Sequence, residues 1–151
     1  ELLAVGAGAL TSGLLAGCDW LRSDPPPPVP DPLDQFIWST QELAQRYEST
    51  LTAYPELTER LGPLHATHVA HLAALRDVVG RDPAPPSPTN PAGTFRPAPG
   101  QDPDTAVVAL REAEEAAQAE AAQACLAAPP ARALLLGTIT AARASHVSVL
   151  S

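Results

Sequence analysis

Three of the chain's four histidines lie close together in an apolar stretch near its middle, and a buried histidine there is the first candidate for chemistry. They are His65, His68 and His71. His68 belongs to a stripe at the i, i+3, i+4 spacing of one helix face, together with Leu57, Leu61, Leu64, Leu72, Leu75 and Val79. A buried imidazole needs a partner, because an unpaired polar group in a core costs on the order of a few kcal/mol. The sequence leaves a metal ion, a carboxylate and a backbone group open as that partner.

Polar residues also occupy the centres of three other apolar helical stripes. Glu114 and His146 lie in the stripes of the third and fourth predicted helices, and Thr40 and Tyr47 lie in that of the first. Counted from the turns between helices at about 1.5 Å per residue, Thr40, His68, Glu114 and His146 differ in height by less than about one helical turn. We therefore expect these four side chains to share one layer of the core.

Clusters of proline and glycine divide residues 31–151 into four predicted helices, at about 32–53, 56–80, 103–128 and 130–150. Asp31-Pro32 and Asp102-Pro103 place an aspartate N-cap before a proline at the first helical position, which is a strong start signal. Gly62-Pro63 predicts a kink in the second helix or a short helix split from its start. Short proline turns predict two antiparallel hairpins, and the Pro-rich connection 81–104 predicts a long crossover between them. The predicted fold class is all-α, a four-helix bundle with one long crossover.

Charge and the N-terminal segment predict where the protein is located. A net charge of −8 argues against nucleic acid as a partner, because such binding needs basic patches that neutralise phosphate. Residues 1–17 are apolar and rich in small side chains, as in the remnant of a secretory signal peptide. They lead into Leu15-Ala16-Gly17-Cys18, which resembles the bacterial lipobox, and residues 18–30 form a lipidated start and a Pro-rich tether. We expect an extracytoplasmic protein anchored through Cys18 to the outer face of the cytoplasmic membrane.

The helix order and the histidines resemble the ferritin-like superfamily of di-iron carboxylate proteins. Stretches similar to Ala53-Tyr54-Pro55-Glu56-Leu57 and to Ser145-His146 resemble in particular an uncharacterised ferritin-like domain of actinobacterial lipoproteins. The superfamily pattern has one Glu from each of two helices and a Glu-x-x-His pair from each of the other two. His68, Glu114 and His146 match this pattern. The resemblance implies a ferritin-like bundle over residues 31–151.

Three residues depart from the di-iron pattern. Thr40, His65 and Arg143 stand where the resemblance expects carboxylates, so it implies a degenerate di-iron site. Bridging carboxylates neutralise the two cations of such a centre, whereas Arg143 places a fixed positive charge there. We expect Arg143 to form a charge-assisted bond to Glu114 instead. The first interpretation is a metal-free buried polar cluster that comprises Thr40, Tyr47, His68, Glu114, Arg143 and His146.

The alternative interpretation is a single metal ion held by His68, Glu114 and His146, with His65 as a candidate fourth ligand. Two neutral imidazoles and a carboxylate suit Fe, Mn or Zn. The metal-free cluster implies a non-catalytic structural or interaction module without a cofactor, whose partner is a second copy in a homodimer or an envelope protein. The metal site implies a metal-binding protein or a metal-dependent oxidoreductase. We favour the metal-free interpretation.

Overall fold

The computed structural model describes residues 31–84 and 101–151, and over these ranges the chain is helical without a strand. It forms four α-helices and one short 3-10 turn over Pro55–Leu57. The helices are α1 (Leu33–Ala53), α2 (Thr58–Val79), α3 (Pro103–Ala127) and α4 (Pro130–Leu150). The prediction of an all-α protein with four helices is confirmed. The predicted signal segment 1–17, the lipidation site Cys18, the tether 18–30 and most of the predicted crossover lie outside the described residues.

Aspartate side chains begin two of the helices. The Asp31 carboxylate accepts a hydrogen bond from the backbone N–H of Leu33, and the Asp34 carboxylate accepts one from the N–H of Asp31, both at 2.9 Å. These reciprocal bonds resemble a capping box and satisfy N–H groups at the start of the helix. Asp102 caps α3 by accepting from the N–H of Thr105 at 3.0 Å. The start signal of α3 therefore acts as predicted, whereas α1 begins one residue later than predicted, with Pro32 rather than Asp31 at the N-cap position.

The predicted split of the second helix at Gly62-Pro63 is wrong, because α2 runs through Pro63 without a break. Proline removes one hydrogen bond, and so close to the N-terminus of α2 the rest of the helix compensates for that loss. The discontinuity lies earlier, where the 3-10 turn Pro55–Leu57 precedes Thr58. α2 ends at Gly80, whose φ of 68° is the left-handed conformation that glycine adopts most readily at a helix end.

The helices pack in neighbouring pairs, and a polar layer separates two apolar clusters in the core. α1 packs against α2 and α3, and α4 packs against α3 and α2. One cluster contains Leu33, Phe36, Ile37, Ala44, Leu72, Leu75, Ala121, Leu136 and Ile139. The other contains Leu43, Tyr47, Leu61, Leu64, Val107, Leu110 and Leu150. The candidate residues His68, Glu114 and His146 fall between these clusters along α2, α3 and α4.

Hydrogen bonds show which helix ends lie together. At one end, Arg132 of α4 donates two bonds to the Asp31 carboxylate, at 2.7 and 2.8 Å, and Arg81 after α2 donates to Asp34 at 2.8 Å. At the other end, the Tyr54 hydroxyl donates to the carbonyl of Gln101. There, Arg60 at the start of α2 also donates to the carbonyl of Val149 near the end of α4, at 2.9 Å. We call these the Asp31 end and the Tyr54 end.

Among the described helices, α4 alone is long and apolar enough, by length and composition, to cross a membrane. It nevertheless contributes Leu136, Ile139, Arg143 and His146 to the core of the bundle. Only 28% of its most apolar window is buried, so α4 also presents an apolar outer face.

Candidate functional site

One carboxylate oxygen in the polar layer accepts three hydrogen bonds, one from each of the other three helices. Glu114 Oε1 on α3 accepts from Tyr47 Oη of α1 at 2.7 Å, from His68 Nε2 of α2 at 2.6 Å and from His146 Nδ1 of α4 at 2.9 Å. Glu114, His68 and Tyr47 have no exposed surface, and His146 is 7% exposed. An ionised carboxylate can only accept, so His68 carries a proton on Nε2 and His146 carries one on Nδ1.

The hydrogen bonds keep this buried carboxylate ionised. Burial alone would raise the pKa of Glu114, but the bonds from His146, His68 and Tyr47 outweigh it and lower that pKa to about 2. Burial lowers the pKa of His68, although the bond to Glu114 opposes the shift. Burial and the charge of Glu114 raise the pKa of Tyr47. At neutral pH the cluster therefore holds a negative charge on Glu114, with uncharged His68 and Tyr47 as donors.

Arg143 places a positive charge in the adjacent layer. Its side chain has no exposed surface, and its guanidinium donates to the carbonyl of Ala117 at 2.6 Å and to the hydroxyl of Thr40 at 2.8 Å. The guanidinium carbon also lies 4.9 Å from the ring centroid of Phe36, within the range of a cation–π contact. Burial lowers the pKa of Arg143, whereas the charges of Glu114 and Glu120 favour its charged form. An arginine stays protonated in proteins, so the layer carries a fixed cation.

The predicted bond from Arg143 to Glu114 is wrong in its detail. Among the described residues, Arg143 hydrogen-bonds Ala117 and Thr40 and not Glu114. Arg143 lies one turn before His146 on α4, so its guanidinium reaches a different height from the imidazole. The two charges interact through space, across adjacent layers, rather than through a shared hydrogen bond.

The prediction that Thr40 shares a layer with Glu114 is also wrong, because α1 contributes Tyr47 at that height. Thr40 belongs to the layer of Arg143, and its hydroxyl donates to the carbonyl of Phe36 at 2.7 Å. Heights counted along the backbone do not include how far a side chain reaches. Tyr47 lies about two turns further along α1 than Thr40, and its long phenol contacts Glu114, whereas the long side chain of Arg143 contacts Thr40.

The other two histidines of α2 occupy different surroundings. His65 is partly exposed, and it is not among the donors His68, Glu114 and His146 that lie within 4.8 Å of one another. His71 packs edge-on against His68, with ring centroids 6.3 Å apart. Burial and the neighbouring His68 lower the pKa of His71 to about 4. Its i+3 spacing from His68 was the signal that could have included it.

The donor set fits one metal ion and does not fit two. His68, Glu114 and His146 offer two nitrogens and an oxygen within 4.8 Å of one another, a set that suits Zn, Fe or Mn. Glu114 Oε2 and His68 Nδ1 are buried without a hydrogen-bond partner, so each retains a free lone pair. The three-residue group contains a single carboxylate, whereas a dinuclear centre needs bridging carboxylates to neutralise its second cation.

The chain matches no family model, no curated protein and no solved structure. The resemblance to the ferritin-like superfamily therefore rests on residue types and helix order.

Proposed function

We propose that the chain is a cell-envelope lipoprotein whose ferritin-like bundle is a non-catalytic structural or interaction module. The observation that carries this proposal is the buried Arg143, held by Thr40 and Ala117 in the layer beside Glu114. Its fixed positive charge takes over the neutralising role that a metal ion has in a di-iron bundle. The proposed localisation is extracytoplasmic, through a lipid anchor on Cys18.

The contacts at the helix ends support a ferritin-like arrangement. α2 ends beside the start of α1, where Arg81 bonds Asp34, and α3 begins beside the end of α1, where Tyr54 bonds Gln101. Ala84 and Gln101 therefore lie toward opposite ends of the bundle. Two antiparallel hairpins joined by a connection that spans the bundle, as in ferritin-like proteins, account for this placement.

Charge balance favours a metal-free cluster. One ionised carboxylate, Glu114, and one guanidinium, Arg143, cancel each other inside the bundle. A divalent ion beside them would leave an excess of buried positive charge, which is costly in a low-dielectric interior. The imidazole protons that face Glu114 would also have to leave before either nitrogen could bind a metal.

The burial of the cluster supports a non-catalytic role. The grooves on the described surface include one of about 440 Å³ between α1 and α3 and one of about 380 Å³ between α3 and α4. Neither is lined by His68, Glu114 or His146. A substrate bound in either groove would not touch the cluster. The second groove lies beside the apolar outer face of α4, and we propose this face as contact surface for a second copy or an envelope protein.

Metal content tests the metal-free module. Protein purified from cells supplied with Fe, Mn and Zn should contain none of them in stoichiometric amount, and His146→Ala should leave the trace content unchanged. His65→Ala is the matched control, since His65 lies outside the three-residue group. Stoichiometric metal that is lost in His146→Ala and retained in His65→Ala would overturn the proposal.

Lipidation has a separate test. We expect globomycin-sensitive processing that is abolished by Cys18→Ala and unchanged by Cys125→Ala, because Cys125 is a half-buried free thiol on α3. Processing that is insensitive to Cys18→Ala would contradict the anchor.

A mononuclear metal-binding protein is the second candidate, and the unpartnered Oε2 of Glu114 favours it. His68, Glu114 and His146 would hold the ion, which would supply Lewis-acid or redox chemistry when bound. The elemental analysis described above decides between the two candidates.

A further inference from the structure

The α3–α4 turn, at the Asp31 end of the bundle, exposes large apolar side chains. Leu126 and Leu134 flank the turn between α3 and α4 and are 82% and 81% exposed. Between them Ala127, Pro129, Pro130 and Ala131 are also exposed, and Val78 in the last turn of α2 is 42% exposed. Such large apolar side chains grouped at one end of a bundle are typical of a contact surface.

The charged residue of the α3–α4 turn is paired, whereas Asp77 and Asp82, on the α2 side of the same end, are exposed carboxylates. Arg132 is the one charged residue between Leu126 and Leu134, and both of its terminal nitrogens donate to Asp31, at 2.7 and 2.8 Å. Asp34 accepts from Arg81 at 2.8 Å. The nine residues from Leu126 to Leu134 therefore present no unpaired charge to a contacting surface.

The Tyr54 end differs from the α3–α4 turn in its charge. Glu56, Glu59, Asp102 and Asp104 are all exposed there. Carboxylates are repelled by the negative surface potential of anionic phospholipids. An anionic membrane therefore disfavours contact with the Tyr54 end, whereas the α3–α4 turn carries no unpaired charge that it would repel.

The chain that precedes the bundle enters it beside the α3–α4 turn. Residues 18–30 lead directly into Asp31, which is bonded to the first turn of α4. A lipid on Cys18 would hold the α3–α4 turn within about 40 Å of the membrane, the length of this tether when extended at about 3.1 Å per residue, and this raises the effective concentration of the turn at the surface. Weak insertion of a few apolar side chains is then sufficient for stable contact.

We propose that the α3–α4 turn is a membrane-contacting surface, with Leu126 and Leu134 inserted at the headgroup level and the Tyr54 end directed away from the lipid. This inference rests on the proposed lipid anchor, and it adds the orientation of the bundle and the residues that touch the phospholipid.

Photolabelling from the lipid phase tests the contact. The full chain with Cys125→Ala is coupled through Cys18 to a maleimide-headgroup lipid. The vesicles consist of phosphatidylethanolamine and phosphatidylglycerol and contain a diazirine phospholipid. Mass spectrometry then measures labelling by segment. We expect labelling of residues 126–134 well above that of residues 54–60 and 101–105. The substitutions Leu126→Ser and Leu134→Ser, both at exposed positions, should together reduce labelling of 126–134 to the level of 54–60.

Val108→Ser with Val149→Ser is the matched control, because these valines are 47% and 49% exposed and lie near the Tyr54 end. The control should label like the parent chain. Equal labelling of both ends, or stronger labelling of residues 54–60, would overturn the orientation. Because the lipid is attached chemically, this outcome is independent of whether cells lipidate Cys18, which the globomycin assay decides.

Discussion

Removing the buried cation should destabilise the bundle strongly. Arg143→Met keeps most of the side-chain volume but deletes two hydrogen bonds, to Ala117 and to Thr40, each of the charged type worth about 1.5–3 kcal/mol. It also leaves Glu114 as an uncompensated buried anion. The relief of the desolvation cost of Arg143 offsets part of these losses, so we expect a net destabilisation of about 3–5 kcal/mol, the usual cost of breaking a buried charge pair.

A double-mutant cycle with Glu114→Gln isolates the interaction between the two charges. Each single substitution should cost about 3–5 kcal/mol. The double variant should cost less than the sum by about 1–3 kcal/mol, because it removes both charges together. The free energy of unfolding is measured by urea denaturation followed by circular dichroism. Arg46→Met is the control, since Arg46 pairs with Glu42 at 2.7 Å on the partly exposed side of α1 and should contribute less than about 1 kcal/mol.

Two results of these measurements would refute the proposed charge compensation. Additivity within about 0.5 kcal/mol would show that Arg143 and Glu114 do not compensate each other. A loss from Arg143→Met no larger than that of the Arg46→Met control would show that the guanidinium is not part of the stabilising network. Either result removes the main support for a metal-free cluster.

Three further predictions follow from the same contacts. The pKa of Glu114 is about 2 in the folded chain against 4.5 when unperturbed, so this group stabilises the fold above about pH 4.5. A shift of one pKa unit corresponds to about 1.4 kcal/mol, so the contribution of Glu114 to the free energy of unfolding is about 3 kcal/mol. This contribution should be lost as the pH falls toward 2, and Glu114→Gln should make the free energy of unfolding less dependent on pH in that range. The pKa of His71 is about 4 against 6.5, so protonation of the unfolded chain should reduce stability as the pH falls from 6.5 to 4. His68, whose pKa is also lowered by burial, contributes in the same direction, so His71→Asn should reduce this slope in urea titrations without removing it; an unchanged slope would contradict the partial burial of the His71 ring. Asp102→Ala removes the cap of α3 and should cost about 1 kcal/mol, measured as a lower Tm. Asp104→Ala is the control: Asp104 lies two residues later and does not make that capping bond, so this substitution should cost less.

The fold was predictable because its signals are local. The Asp-Pro pairs, the prolines of the turns and the Gly80 stop each act within a few residues, and the helices begin and end within two residues of the predicted positions. The face of a helix on which a residue lies is also set by that helix alone, so the apolar spacing within each helix identified His68, Glu114 and His146 as core-facing. The split predicted from Gly62-Pro63 was wrong because a proline near the start of a helix destabilises the helix less than a proline in its middle.

The partners within the site were less predictable, because they depend on the relative heights of different helices. Tyr47 and Thr40 both face the core of α1, and sequence spacing alone cannot say which of them reaches Glu114. The long side chain of Arg143 hydrogen-bonds Thr40 on α1 and the backbone of α3 rather than the carboxylate of Glu114. His71 packs edge-on against His68, a contact that their i, i+3 spacing permits and that the predicted cluster did not include.

The protonation of His68 and His146 tests the central claim most directly. Nitrogen-15 NMR of the histidine rings, on protein from cells supplied with Fe, Mn and Zn, reports which ring nitrogens carry protons. A metal-free cluster predicts protons on His68 Nε2 and His146 Nδ1, both slow to exchange with solvent because Glu114 accepts them in a buried layer. Loss of these two protons, together with metal-shifted nitrogen resonances that disappear on chelation, would contradict the account.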